Sequence, residues 1–141
     1  MVDINLFGTV ACAQAAARRL KALGHGGSIV NVASGSQAGD VALGGYAATK
    51  GAVVAMARAM AVEFARYGIS VNSVLPGWTR SGMTSGLQEW DKFNEAVISR
   101  VPTGDWLDGS DFAAIAVYLA SRGSRNHTGD TIVIDGGYTI Y

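Results

Sequence analysis

Three short runs, almost wholly apolar or small, constrain this chain most: residues 28–33, 69–75 and Thr131–Ile134. None alternates cleanly between polar and apolar, the pattern of strands covered on both faces. Each is too short for a buried helix. Around them lie stretches of helical period: residues 4–23 closed by Gly24, an alanine-rich stretch at 46–67 closed by Gly68, and residues 108–120 with Ala114, Val117 and Tyr118 among the inward candidates. The excursion from Gly77 to Pro102 adds a short amphipathic helix through Leu87, Trp90, Asn94, Val97 and Ile98. Parallel strands need long crossovers, which helices supply. The order αβαβααβ predicts an α/β fold: three parallel strands in an open, doubly wound sheet with helices on both faces. No repeat or linker interrupts residues 1–141, which read as one unit whose first strand keeps an open edge.

Composition narrows the function classes. Charged residues make up 16% of the chain, well below the ~25% of soluble proteins, and Lys+Arg balance Asp+Glu at 11 each. That balance leaves no basic footprint for nucleic acid or an anionic membrane. The single cysteine, Cys12, excludes an intramolecular disulfide and reads as a small packed residue. His25 and His127 read as isolated loop residues, so no metal site is expected. No apolar run reaches the ~18 residues of a membrane span, and the amino terminus shows no secretory signal. A cytoplasmic location is the expectation.

In open parallel sheets, ligands sit beyond the carboxyl ends of the strands. Ser34 follows the first strand, Tyr46 stands twelve positions on, and Lys50 comes one helical turn later on the same face. A phenol serves as a base at neutral pH only when a nearby cation stabilises the phenolate. An ammonium ~5 Å away at an effective dielectric of ~20 is worth about 3 kcal/mol. The pair alone is a weak signal, which its placement beside Ser34 strengthens. Ser36 is a second serine that could take the role. Asn72 reads as a structural hydrogen-bonder. Trp78, Leu87, Trp90 and Phe93 are either a substrate lid or plain packing.

Several segments together resemble the short-chain dehydrogenase/reductases. They are Asn5-Leu6, Ile29-Val30-Asn31-Val32-Ala33-Ser34, Tyr46-Ala47-Ala48-Thr49-Lys50 and Val71-Asn72-Ser73-Val74-Leu75-Pro76-Gly77. Asp111-Phe112-Ala113 and Thr128-Gly129 before Asp135-Gly136-Gly137 continue the match to the end of the chain. The resemblance implies a Rossmann-like sheet and an oxidoreductase using NAD or NADP on a small alcohol or ketone, a sugar, polyol or 3-oxoacyl compound. It implies a tetrad: Tyr46 as acid/base, Ser34 orienting the substrate oxygen, Lys50 binding the nicotinamide ribose, and Asn5 holding a relay water. Pro76, Gly77, Thr79 and Ser81 would line the nicotinamide. The long helices would pair subunits into a homodimer or homotetramer.

There are departures. Ser81 stands where threonine is common, and Asp105 where arginine is frequent. The family's opening strand, glycine-rich turn and helix are not found. Gly24-His25-Gly26-Gly27 lacks a glycine at the needed position. In the loop from Gly77 to Gly82, Met83 replaces the lysine of a phosphate-binding loop. The chain therefore reads as the carboxyl-terminal half of such an enzyme, weakly active or inactive alone. A truncated, non-catalytic association module is the rival reading.

Overall fold

A computed structural model describes residues 1–35 and 43–141; Ser36 lies outside them. Five α-helices and three strands appear among these residues. The chain enters through a π-helical turn, Asp3–Gly8, that runs directly into α1 (Thr9–Leu23). Gly24, at φ 74°, closes α1 and donates its N–H to the carbonyls of Leu20 and Lys21. β1 (Gly27–Val32) leads to α2 (Gly44–Phe64). A 3₁₀ turn and Gly68 follow, then β2 (Ile69–Pro76).

The amphipathic excursion holds two helices rather than one: α3 (Ser85–Gln88) and α4 (Asp91–Ile98). Trp90 separates them in an extended conformation and stacks on Phe93 with ring centroids 5.9 Å apart. The next predicted helix opens as a 3₁₀ turn, Gly109–Phe112, under a capping box formed by Asp108 and Asp111. It continues as α5 (Ala113–Ala120). β3 (Thr131–Ile134) ends the regular structure.

The strands form one parallel sheet in the order β1-β2-β3. Register runs from Gly27↔Ile69 to Val32↔Val74, and from Ser73↔Thr131 to Pro76↔Ile134. All three strands thus end at the same edge of the sheet. β2, paired on both sides, is buried from Ile69 through Leu75. Its Ile69 and Val71 join Ile29, Ala13 and Ala17 of α1, and Ala57, Met60, Ala61 and Phe64 of α2, in the main core. Alanines on the facing helices bring both close to the sheet.

The outer strands depart from the expectation of cover on both faces. On β1, Ile29 and Asn31 are buried, whereas Val30 and Val32 are 39% and 59% exposed. Val133 on β3 is also exposed. Ala114, Val117 and Tyr118 of α5, read as inward-facing, all lie exposed; Leu119 is the buried residue. α5 carries apolar residues around most of its circumference, so sequence period could not select its packed side. Cys12 is likewise exposed rather than packed. His127 is not isolated: its Nε2 lies 2.7 Å from Asp130 Oδ2 and its Nδ1 3.2 Å from the Tyr118 hydroxyl. That His127 contact, with the Thr131 N–H, holds the Asp130 carboxyl below the usual carboxylate range. Among the described residues, no three His, Cys, Asp or Glu side chains gather as metal ligands.

Candidate active site

The carboxyl ends of the strands open into a cavity of about 540 Å³, within the usual ~300–1,000 Å³ of small-molecule sites. Ser34, Tyr46, Lys50, Pro76, Gly77, Thr79 and Ser81 all line it. Seven of the eight residues singled out from sequence therefore converge on one space. The eighth, Asn5, is not among its lining residues.

Each side chain arrives for a local reason. Ser34 lies two residues beyond the end of β1, just past buried Ala33. Tyr46 and Lys50 sit one turn apart near the start of α2, so both face the strand ends. The Lys50 ammonium lies 5.7 Å from the centre of the Tyr46 ring and donates to the Val32 carbonyl at 2.9 Å. That bond ties α2 to the last residue of β1. Burial disfavours the charged form of Lys50 and lowers its pKa from the ordinary lysine value.

Asn5 connects to this pair indirectly. Its Nδ2 donates to the hydroxyl of buried Thr49 at 3.4 Å, and that hydroxyl donates to the Tyr46 carbonyl at 2.8 Å. Asn5 lies in the π-helical turn, where the Thr9 hydroxyl donates to its carbonyl at 2.8 Å. π-Helical turns are rare and frequently mark functional sites.

The floor is Pro76-Gly77. A side chain at position 77 would sit 2.6 Å from the Asp135 Cα, so glycine lets the ends of β2 and β3 meet. Asp135 in turn accepts from the N–H groups of Gly137 and Thr139 and from the Thr139 hydroxyl, at 2.6–2.9 Å. Burial raises the Asp135 pKa, but these bonds outweigh it and leave the carboxyl below its ordinary value.

The turn after Gly77 is knitted by Thr84, which sequence reasoning missed. Its hydroxyl accepts from the Ser81 N–H at 3.0 Å and from Gln88 Nε2 at 3.0 Å, and donates to the Thr79 carbonyl at 2.8 Å. Thr79 also bridges to Leu107. Asp105 has a structural partner there: Arg80 spans Asp105 at 2.5 Å and Asp108 at 3.3 Å while donating to the Trp106 carbonyl at 2.9 Å. Asn72 sits midway along β2, away from the cavity lining, bonding the His127 carbonyl and the Asp130 N–H.

Leu43, Trp78, Met83, Leu87 and Tyr138 supply an apolar wall. Trp78 meets Phe93, Trp106 and Tyr138 edge-on, with centroids 5.4, 5.6 and 6.3 Å away. Tyr138 was not foreseen. The Asp135-Gly136-Gly137 turn, with both glycines at positive φ, returns it to the site.

A phenol beside an ammonium and a hydroxyl, facing a flat Pro-Gly floor, can exchange a proton with a carbonyl or alcohol oxygen. The family model described as enoyl-(acyl carrier protein) reductase matches residues 1–139. The chain belongs to the short-chain dehydrogenase/reductase family.

Among relatives of this short-chain dehydrogenase/reductase, the 2-dehydro-3-deoxy-D-gluconate 5-dehydrogenase of Bacillus subtilis is 34% identical over 139 residues. That match covers 98% of this chain and 54% of the relative. The (3R)-3-hydroxyacyl-CoA dehydrogenase of Rattus norvegicus is 36% identical over 138 residues, covering 97% and 52%. A crystal structure of a gluconate 5-dehydrogenase from Burkholderia cenocepacia, in complex with NADP and tartrate, superposes with a TM-score of 0.93 at 35% identity. It covers 100% of this chain and 55% of that one. The chain spans about half the length of the curated relatives it matches. No described helix is long and apolar enough to cross a membrane.

Proposed function

We propose that this chain supplies the proton-transfer half of an oxidoreductase that uses NAD or NADP to interconvert a secondary alcohol and a ketone. The observation that carries the reading is the convergence of Ser34, Tyr46 and Lys50 with Pro76, Gly77, Thr79 and Ser81 on one cavity. The residues present suit a nicotinamide. Gly77 presents a floor without a side chain, and Thr79 and Ser81 place peptide and hydroxyl groups at its rim. When bound, the nicotinamide gives or accepts the hydride.

In the reducing direction, the Tyr46 hydroxyl donates its proton to the substrate oxygen as the carbonyl carbon gains the hydride. In the oxidising direction, the Tyr46 oxygen takes the alcohol proton back. Ser34 hydrogen-bonds the same oxygen and holds it against the phenol. An ammonium has three donors; Lys50 spends one on Val32, leaving two for the tyrosine oxygen and the nicotinamide ribose. Asn5, acting through Thr49, is a positioning residue for this turn of α2, and it is also suited to hold a relay water. The substrate is a small alcohol or ketone. The chain works in the cytoplasm as a homodimer or homotetramer built on the faces of α1 and α2.

The test mixes this chain with a separate chain carrying the strand-turn-helix half of a relative, and follows NADPH absorbance with a ketone. Turnover that falls by about 10²–10⁴ in Tyr46→Phe supports the reading, since that is the usual worth of a positioned acid/base. Undiminished turnover in Tyr46→Phe overturns it.

A second reading, non-catalytic association, draws on the edge of β1 that pairs with no other strand among the described residues. A groove there, lined by Ile4, Gly8, Cys12 and Ala16, holds the buried Asn31 amide, whose Nδ2 has no partner among the described residues. Co-purification of the two chains without turnover selects this reading instead.

A further inference from the structure

We infer that the substrate is an uncharged ketone or secondary alcohol carrying an apolar substituent, which packs on the face of Trp78, rather than a sugar acid. The inference rests on the proposed oxidoreductase reading and names the substrate of that site. The cavity is mixed in character. Its lining combines hydroxyls and the Lys50 ammonium with the apolar surfaces of Leu43, Trp78, Met83, Leu87 and Tyr138.

A sugar acid would need a cation for its carboxylate and polar partners for its hydroxyls, because an unpaired buried charge is costly. Among the described residues, no arginine and no second lysine lines the cavity. The seven residues from 36 to 42 contain neither arginine nor lysine. Two guanidiniums beside this aromatic cluster are occupied. Arg80 is held by Asp105, Asp108 and the Trp106 carbonyl. Arg100 lies 4.3 Å over the Tyr138 ring and donates to its hydroxyl at 2.8 Å. Lys50 is bound to Val32 and neighbours Tyr46.

Trp78 is also a fixed wall rather than a mobile one. Three rings meet it edge-on, and Trp106 is pinned by a 2.6 Å bond from its Nε1 to Asn94 Oδ1. A preformed aromatic surface of this kind rewards apolar area more than hydroxyl groups.

The test is a binding titration on this chain with nicotinamide mononucleotide present, reading the indole N–H resonances of ¹⁵N-labelled protein; Trp78→Phe assigns the Trp78 signal. The ligands are a series of 3-oxo esters of increasing chain length, and 5-keto-D-gluconate. The expected result is that Trp78 shifts and affinity rises about three- to fourfold per added methylene, with the sugar acid weaker than every ester. Trp78→Ala flattens the series. If that variant fails to fold, Leu87→Asn gives the same reading from the neighbouring wall.

Equal or tighter binding of 5-keto-D-gluconate, a flat ester series, or ester binding that leaves Trp78 unmoved overturns the inference. Failure of the oxidoreductase reading is recognised separately. A steep ester series with no turnover in the two-chain assay leaves the pocket chemistry standing without the reaction. Turnover with a flat series removes only the substrate class.

Discussion

Replacing Gly77 by alanine should destabilise the chain sharply, while the same change at Gly82, five residues along the same loop, should be silent. A Cβ at position 77 would lie 2.6 Å from Asp135 Cα, 2.7 Å from its Cβ and 3.2 Å from its carbonyl oxygen. Carbon atoms prefer ~3.5–4.0 Å, so about 1 Å of separation has to be found. Neither side yields easily. The Gly77 N–H is bonded to the Ile134 carbonyl at 2.9 Å, and the Asp135 carboxylate is anchored by three donors. Overpacking of this sort costs roughly 1–3 kcal/mol.

With an unfolding entropy of ~2.1 cal/mol/K per residue, a loss of about 2 kcal/mol lowers Tm by about 7 °C in a chain of this size. A Cβ at Gly82 meets nothing within 4 Å, and the expected change there is within about 0.5 kcal/mol. Thermal and urea unfolding followed by circular dichroism measure both variants. Equal Tm values for Gly77→Ala and Gly82→Ala would refute the claim that close contact between β2 and β3 sets the floor of the site.

Four further outcomes are expected. Asp135 has a folded pKa below its ordinary value, so its contribution to stability is full above about pH 4 and is lost as pH falls through the folded pKa; Asp135→Asn should flatten that acid limb in a pH series of urea midpoints. Thr84→Val leaves the Ser81 N–H and the Thr79 carbonyl without their partner, and should cost about 1–3 kcal/mol, with Thr84→Ser recovering most of it. Arg80→Ala should cost only about 1 kcal/mol, because its two ion pairs are half-exposed and such pairs are worth little in water; salt titration of the unfolding midpoint reads this directly. Exposed Cys12 should react with a thiol reagent in the folded chain, at a dilution that keeps it monomeric, at a rate close to that in urea, and strong protection there would contradict its placement.

Much of the site was legible because its logic is local. Tyr46 and Lys50 share a helix face by spacing alone, and Ser34 and Pro76-Gly77 follow apolar runs that end at one sheet edge. Thr84 and Tyr138 were not legible. Each reaches the cavity through a loop whose path depends on distant contacts, such as the bridge from Thr79 to Leu107. The π-helical turn holding Asn5 was hidden too, since it leaves the helical period of its neighbours nearly intact. The two helices on either side of Trp90 read as one for the same reason. Burial of the outer strands and of α5 was overestimated because apolar composition records what a residue prefers, not what lies against it.

The bare side of β1 has a practical consequence for anyone handling the protein. Val30 and Val32 lie exposed on the outer strand β1, whose outer edge pairs with no other strand among the described residues, a ready template for another strand. Encounters between two such surfaces scale with the square of concentration. Dilution will therefore lengthen the time a preparation stays clear. Scattering measured across a dilution series should rise more steeply than linearly, even at temperatures where the fold is fully intact.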